Sequence, residues 1–470
     1  YALQLTAVQK KGEVMELGIL TLIPPIFIII FAITTKKTFE ALVLGGLIGC
    51  VIGFKGDFFN TYLGFLYDTM CDADVAWIIL VIGLFGCLIG LMKKANATVA
   101  FSEFIYKRAN SEKKASLAAW VLGIIIFMDD YLNILTVGTA FKDVGDKLKS
   151  PREMLAYIID STGTPVCMLI PISTQAVYWA GMLAKEQDLA FLGSGMEIFI
   201  KTIPFSFYAW AAVIIVPLVI LGVIPKIGPM KKAYERVATT GMVYSPGSKK
   251  FNTDDLFGID KKEVTNGSVW DFFLPMIVLI GGTIYFDMEL LIGVVLGLIT
   301  ATIMYGFKKR LNFEEWSESF LSGFFSMGLM FFIIVTALTL RTVLGEIGMA
   351  DYIIATVAPH MIPAILPAIA FVIVAILAFV TGSCWGVPAV TLPILIPLAT
   401  TVGADPLLTA AAILSSATFG SHACFYSDAT VLTSSAVNIE NMDHCLTQIP
   451  YALIAAGIAM IGYLIMGFVM

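Results

Sequence analysis

Apolar runs of near membrane-spanning length follow one another along the chain, separated by short polar stretches whose charge alternates. Leu17–Thr34, Ala41–Phe54 and Val75–Met92 come first, and each reads as a membrane helix. Lys36 and Lys37 after the first run are basic, whereas Asp57, Asp68, Asp72 and Asp74 after the second form an acidic loop. Lys93, Lys94, Lys107, Arg108, Lys113 and Lys114 after the third are basic again. Loops rich in Lys and Arg stay on the cytoplasmic side, so the N terminus is expected outside.

The next apolar segment, Ala115–Met128, is short for a hydrocarbon core roughly 30 Å thick at about 1.5 Å per residue, and it ends at Asp129-Asp130. Ile134–Phe141 then returns to the basic Lys142, Lys147, Lys149 and Arg152. Ala115–Phe141 is therefore expected to be a re-entrant hairpin with its tip at Met128–Asn133. Met154–Ala184 crosses outward through Asp160-Ser161-Thr162-Gly163-Thr164-Pro165, where Gly163 and Pro165 interrupt helical hydrogen bonding. Ile203–Ile224 returns inward to a basic linker, Lys226–Ser268.

The second half repeats this plan with the opposite sign. Phe272–Phe286, Leu290–Phe307 and Phe320–Leu344 are three spans; Met361–Val380 and Pro388–Thr401 form a second hairpin around Thr381-Gly382-Ser383-Cys384-Trp385-Gly386. Pro406–Ser434 is a second interrupted helix and Tyr451–Met470 a last span. The fold expected is an all-α polytopic membrane protein built as an inverted-topology repeat, with halves 1–225 and 269–470 joined by a linker 226–268. Its two re-entrant hairpins (about 115–141 and 361–401) and two interrupted helices (about 154–184 and 406–434) meet at mid-membrane, as in secondary transporters.

Composition agrees, since 58% of the 470 residues are hydrophobic and only 14% charged, leaving no surface for a soluble multidomain protein. Seven scattered cysteines with no CxxC pair argue against structural disulfides and zinc. Tyr1–Glu16 is polar, lacks a starting Met and shows no signal-peptide cleavage pattern, so the extreme N terminus is expected to lie beyond this sequence.

Ionisable groups at membrane depth point to function. Hydroxyls, amides and carboxylates at helix breaks make a hard-oxygen cage for a small cation, and a buried carboxylate can exchange that cation for a proton. The transport and cation-binding candidates are Asp129, Asp130, Asn133, Asp160, Ser161, Thr162, Thr164 and Ser173 in the first half. In the second they are Thr381, Gly382, Ser383, Ser416, Thr418, His422, Ser427, Asp428 and Thr430. Na⁺ is assigned to Asn133, Asp160, Thr162, Ser383 and Thr418. Each candidate has a plainer reading: Asp129 and Asp130 as helix caps, Asp160 and Asp428 as acceptors for freed backbone N–H groups, His422 as a packing residue. His360 and His444 are read as interfacial, and Arg341 as snorkelling or pairing with Glu346.

Several linked motifs resemble the NhaC family of Na⁺/H⁺ antiporters. They are Asp129-Asp130-Tyr131-x-Asn133, Arg152-Glu153-x-Leu155-Ala156-Tyr157-x-x-Asp160-Ser161-Thr162, Thr381-Gly382-Ser383-x-Trp385-Gly386, Phe419-Gly420-x-His422 with Ser427-Asp428, and Asp443-His444-x-x-Thr447-Gln448-x-Pro450-Tyr451-Ala452. The resemblance covers essentially the whole chain. It implies an ion-transporter-superfamily fold, often dimeric, with a scaffold and a moving transport region. One position departs: Ser421 stands where similar sequences carry Asp before the His, which removes a carboxylate and strengthens the case for an organic substrate.

The function expected is Na⁺/H⁺-coupled antiport by alternating access at the cell membrane, with Na⁺ and H⁺ as coupling ions and no other cofactor. The alternative is a Na⁺- or H⁺-coupled carrier of a small organic acid or amino acid, supported by Tyr178, Trp179, Trp385 and Tyr426 near the tips. The expected partners are a small ion or solute, the lipid bilayer and possibly a second copy in a homodimer, with no nucleic acid. An aspartyl hydrolase is disfavoured, because adjacent acids on a helix point about 100° apart, and no other catalytic motif is present.

Overall fold

A computed structural model describes residues 17–35, 37–127, 129–251, 268–286, 289–349, 352, 356, 362–382 and 384–470. Among them every regular element is helical. The chain opens with α1 (Ile23–Thr35), α2 (Thr38–Phe54), α3 (Phe58–Cys71), α4 (Ala73–Lys94) and α5 (Ala97–Arg108). A hairpin follows, α6 (Glu112–Ile125) and α7 (Asp130–Lys147), then a broken segment, α8 (Arg152–Thr162), α9 (Thr164–Leu169) and α10 (Thr174–Leu183). The first half closes with α11 (Gly195–Thr202) and α12 (Phe207–Leu221), and the linker contains α13 (Gly228–Thr240). Next come α14 (Val269–Tyr285), α15 (Leu290–Phe307), α16 (Phe313–Phe325) and α17 (Gly328–Glu346). The second hairpin is α18 (Leu366–Thr381) and α19 (Gly386–Val402), the second broken segment α20 (Pro406–Ala423) and α21 (Asp428–Ala436), and the last helix α22 (Asn441–Val469).

Among the described residues six helices are long and apolar enough to cross a membrane, or up to eight if two bent pairs each count as one span. One bent pair is Arg152–Leu169 with Thr174–Leu183, at 44°. Restarting a helix inside an apolar slab leaves its first N–H groups without partners, which is costly where no water can serve them. The polar residues at the breaks meet that need. Asp129 caps α7 by accepting from Leu132 N at 3.0 Å, Ser173 caps α10 through Ala176 N at 3.1 Å, and Ser427 caps α21 through Thr430 N at 3.2 Å.

Three expectations are corrected and the position of one break is located. The acidic stretch 57–74 is not a loop: residues Phe39–Cys71 form a 33-residue helical stretch, in which Asn60 Nδ2 donates to Asp57 Oδ1 at 2.9 Å. The span Phe320–Leu344 is two helices, broken at Ser326-Met327, where Ser326 Oγ donates to Gly323 O at 2.7 Å. The second interrupted helix, read as Pro406–Ser434, is continuous through Ser415–Thr418 and breaks at Cys424–Ser427. The last helix begins at Asn441 rather than Tyr451, because its polar opening turns are buried against other helices instead of lying in water. Residues 252–267 of the linker, the hairpin-tip residues Met128 and Ser383, and His360 lie outside the described residues.

Close approach holds the centre together. Gly420 packs on α18 so tightly that a Cβ there would lie 2.2 Å from Ala378 Cβ and 2.5 Å from its carbonyl carbon. Gly138 faces α21 at similar range, with Ala436 Cβ 2.7 Å from where a Cβ would stand. Charge pairs tie the polar ends: Arg152 grips Asp146 at 2.9 and 2.7 Å, and Arg236 of the linker helix grips buried Glu153 at 2.8 and 2.9 Å.

Candidate functional site

Two polar centres arise at the breaks. The first is sealed and gathers around Asp160, which is 0% exposed. Its Oδ2 accepts from Gln448 Nε2 at 2.7 Å and from Thr430 Oγ1 at 3.3 Å, and lies 3.0 Å from His444 Nε2. Gln448 Nε2 also donates to the carbonyl of His422, so one amide on α22 joins both broken segments. Beside it, Ser161 Oγ lies 2.9 Å from His422 Nε2, and Tyr208 OH lies 2.6 Å from His422 Nδ1. Three buried side-chain oxygens in this region, Asp160 Oδ1, Gln448 Oε1 and Asn133 Oδ1, have no hydrogen-bond partner. An unsatisfied buried oxygen is expensive, so oxygens of this kind mark a place where a cation or a proton would be stabilised.

The second centre is open. A cavity of about 920 Å³ is lined by Asp129, Tyr131, Thr174, Arg341, Trp385 and Asp428, among others. Five acidic side chains, Asp68, Asp72, Asp129, Glu289 and Asp428, face a single Arg341, so its wall is strongly negative. Thr174 Oγ1 donates to Asp129 Oδ2 at 3.1 Å, Tyr131 OH donates to Asp428, and Trp77 Nε1 donates to Glu289 at 2.7 Å. Tyr178 and Trp385 meet edge to face, ring centres 5.0 Å apart.

The adjacent acids take different partners, since Asp129 is the extended N-cap residue and Asp130 the first residue of the helix. Asp129 faces the open cavity, whereas Asp130 Oδ2 accepts from Thr164 Oγ1 at 3.0 Å, and Thr164 also lies 3.4 Å from Ser421 Oγ. Capping and site lining are therefore both true of Asp129.

The donor groups of other candidates are spent on local structure. Asn133 Nδ2 donates to the carbonyls of Ile126 at 3.0 Å and Thr162 at 2.9 Å, clasping the hairpin to α8. Thr162 donates to Ile158 O at 3.0 Å, Thr381 to Leu377 O at 2.8 Å, Ser416 to Phe371 O at 2.9 Å and Thr418 to Leu414 O at 3.1 Å. Ser173 donates to Cys167 O at 2.7 Å, and Ser427 to Ser421 O at 2.5 Å. Gly382 lines the open cavity in a left-handed conformation. Trp179 is fully buried against Phe199 and does not reach the cavity, unlike Tyr178, Trp385 and Tyr426.

One reading changes: His444, expected at an interface, is 0% exposed and bound to Asp160. Arg341, read as snorkelling or pairing with Glu346, lines the open cavity. Sequence reasoning missed Gln448 and Tyr208 as site residues. For His444 and Gln448 a signal existed, because both sit in the closing motif; for Tyr208, within a uniformly apolar run, none did.

A family model described as the Na⁺/H⁺ antiporter family matches residues 3–191 and 190–468. An uncharacterized protein of Haemophilus influenzae is 28% identical over 510 residues, spanning 99% of this chain and 95% of that protein. YuiF of Bacillus subtilis, named as a candidate amino acid transporter, is 22% identical over 386 residues, spanning 79% of this chain and 82% of its own. Among solved structures, Neisseria gonorrhoeae MtrF, described with a class of antimetabolite efflux pumps, aligns over 95% of each chain at 14% identity and TM-score 0.36. The Alcanivorax borkumensis YdaH transporter aligns over 88% of this chain and 89% of its own at 13% identity and TM-score 0.37.

Proposed function

The chain belongs to the Na⁺/H⁺ antiporter family and is a multi-pass secondary transporter, and from that premise we propose that it exchanges Na⁺ for H⁺ by alternating access. The observation that carries this reading is the sealed Asp160 centre, where one carboxylate without contact to water is held by Gln448, His444 and Thr430. Such a carboxylate is stabilised by a cation or by a proton, and binding of one opposes binding of the other. Asp160 Oδ1 and Gln448 Oε1 are the oxygens available to a hard cation, and His444 is the second proton-carrying group. The two hairpins and two broken segments would move as a unit, as halves of an inverted repeat, against the remaining helices.

Proteoliposomes with imposed Na⁺ and pH gradients test this. Na⁺-dependent proton flux that persists without any organic solute supports it; flux that requires such a solute rejects it.

The size and lining of the open cavity favour a second reading. At about 920 Å³, with Arg341 and the Tyr178–Trp385 pair in its wall, it is far larger than an ion and offers both charge and ring faces. In that reading the solute is a small organic acid or amino acid, and Na⁺ or H⁺ at Asp160 drives its movement. A thermal-shift screen of carboxylates and amino acids in Na⁺ and in K⁺ distinguishes the two, since silence across the panel removes the carrier reading.

A further inference from the structure

Three carboxylates of the open cavity are held by neutral groups alone. Asp129 accepts from Leu132 N and Thr174 Oγ1 at 3.0 and 3.1 Å, Glu289 from Trp77 Nε1 and Leu291 N at 2.7 and 3.2 Å, and Asp428 from Tyr131 OH and from Ala429 N, the latter at 2.9 Å. All six donors are uncharged. Among the described residues none of the three carboxylates has a Lys, Arg or His nitrogen within 4.0 Å. Arg341, the one basic residue in the described lining, sits instead against the second hairpin, where a Cβ on Gly386 would stand 1.9 Å from its Nη2. One guanidinium does not offset three carboxylates.

Each of these acids also keeps room for a further donor, since a carboxylate presents about four acceptor positions. Aromatic rings stand beside them. Trp77 and Tyr131, the donors to Glu289 and Asp428, have ring centres 6.4 Å apart, and the Tyr178–Trp385 pair lies in the same wall. Ring faces attract an organic ammonium group, and neighbouring carboxylates add full charges to that attraction. A bare Na⁺ would fill little of about 920 Å³, whereas a dicarboxylate would meet like charge from all three acids.

We propose that the open cavity selects its solute by a protonated amine, held by Asp129 and Asp428 beside the Trp77–Tyr131 rings. This deepens the carrier reading, on which it rests: amines and amino acids qualify, and purely anionic acids do not.

The test uses the purified full chain in neutral phosphatidylcholine nanodiscs, titrated at constant ionic strength with cadaverine, 5-aminopentanoate and glutarate, which share a five-carbon chain. Saturable binding of the two amines is expected, with glutarate about tenfold weaker or more. Asp129→Asn, which keeps the helix cap, and Asp428→Asn should each weaken cadaverine about tenfold. Glu314→Gln, which removes the same charge from an exposed turn of α16, should leave it unchanged. Should the acid variants not fold, Thr342→Cys combined with Cys71→Ser supplies the second readout, because cadaverine should slow its labelling by N-ethylmaleimide and glutarate should not. Glutarate binding as tight as that of cadaverine, or cadaverine affinity unchanged in both acid variants, would overturn amine selection and leave the carrier reading standing. No response to any of the three would remove both. Tight Ca²⁺ binding that Asp129→Asn abolishes, with cadaverine inert, would also overturn the proposal, since the acids would then serve a metal. Equilibrium binding needs no ion gradient, so these outcomes are independent of whether Na⁺/H⁺ exchange is found.

Discussion

Asp160→Asn separates a sealed ion site from a solvated one by the size of its effect. The substitution preserves shape and removes the charge, and the side-chain oxygen of Asn can still accept from Gln448 and Thr430. What disappears is the attraction between a full negative charge and a bound Na⁺. For charges about 4 Å apart that attraction is about 4 kcal/mol at the effective dielectric of about 20 that suits buried protein sites, and about 1 kcal/mol in bulk water. Asp160 is 0% exposed, and its neighbours Thr430, His444 and Gln448 are 0%, 0% and 1% exposed, so the larger figure applies. It corresponds to roughly a thousandfold loss of Na⁺ affinity, against roughly fivefold in a wet site. The assay is proton flux in proteoliposomes as external Na⁺ is titrated, with a thermal melt to show that the variant remains folded. A half-saturating Na⁺ concentration that rises only about fivefold would refute the reasoning, because it would mean that water screens the site.

Three further outcomes follow from the packing and pairing. Tyr131→Phe removes the hydroxyl that donates to Asp428 and should change half-saturation for the transported species about tenfold, the worth of a hydrogen bond to a charged group, measured by initial-rate flux. Gly420→Val places atoms within 2.2 Å of Ala378 Cβ and should cost about 3 kcal/mol, the upper end of ordinary overpacking, seen as a lower melting temperature and reduced monodisperse yield. Arg236→Ala leaves Glu153 buried without its bidentate partner and should destabilise by about 3 kcal/mol; adding Glu153→Leu should restore most of the loss in the same melting assay.

Much of this architecture was legible in the sequence. The hairpin read as Ala115–Phe141 is helical from Glu112 to Lys147 around its tip, and the break read at Asp160–Pro165 falls between α8 and α9 at Gly163. Short apolar runs ending at charges and glycine–proline pairs are local signals, and they survive folding. The site was less legible because it depends on which side chains meet. Ser416 and Thr418 have the same chemistry as Ser161 and Thr430, yet they lie inside an unbroken helix and spend their hydroxyls on backbone carbonyls. His444 lies 284 residues from its partner Asp160, a separation that no periodicity reveals. Its turn was polar enough to read as interfacial, when the polarity was matched instead by a carboxylate in the interior.

A second cavity, of about 410 Å³, reaches α7 at Thr139 and α21 at Ser435 and Ala436, so the two cavities approach each other along α7 from Tyr131 to Thr139, and between them Gly138 packs closely on Ala436. Eight residues of helix span about 12 Å. If the two cavities open to opposite faces of the membrane, the voltage would fall mainly across that thin partition rather than across the roughly 30 Å of a bilayer core, because water conducts and packed protein does not. The local field would then be about two and a half times steeper. Moving one elementary charge through 100 mV costs about 2.3 kcal/mol, and nearly all of it would be felt in this short interval. A cycle carrying net charge would thus show its electrical sensitivity in the single step that crosses the partition, and an electroneutral cycle would show none.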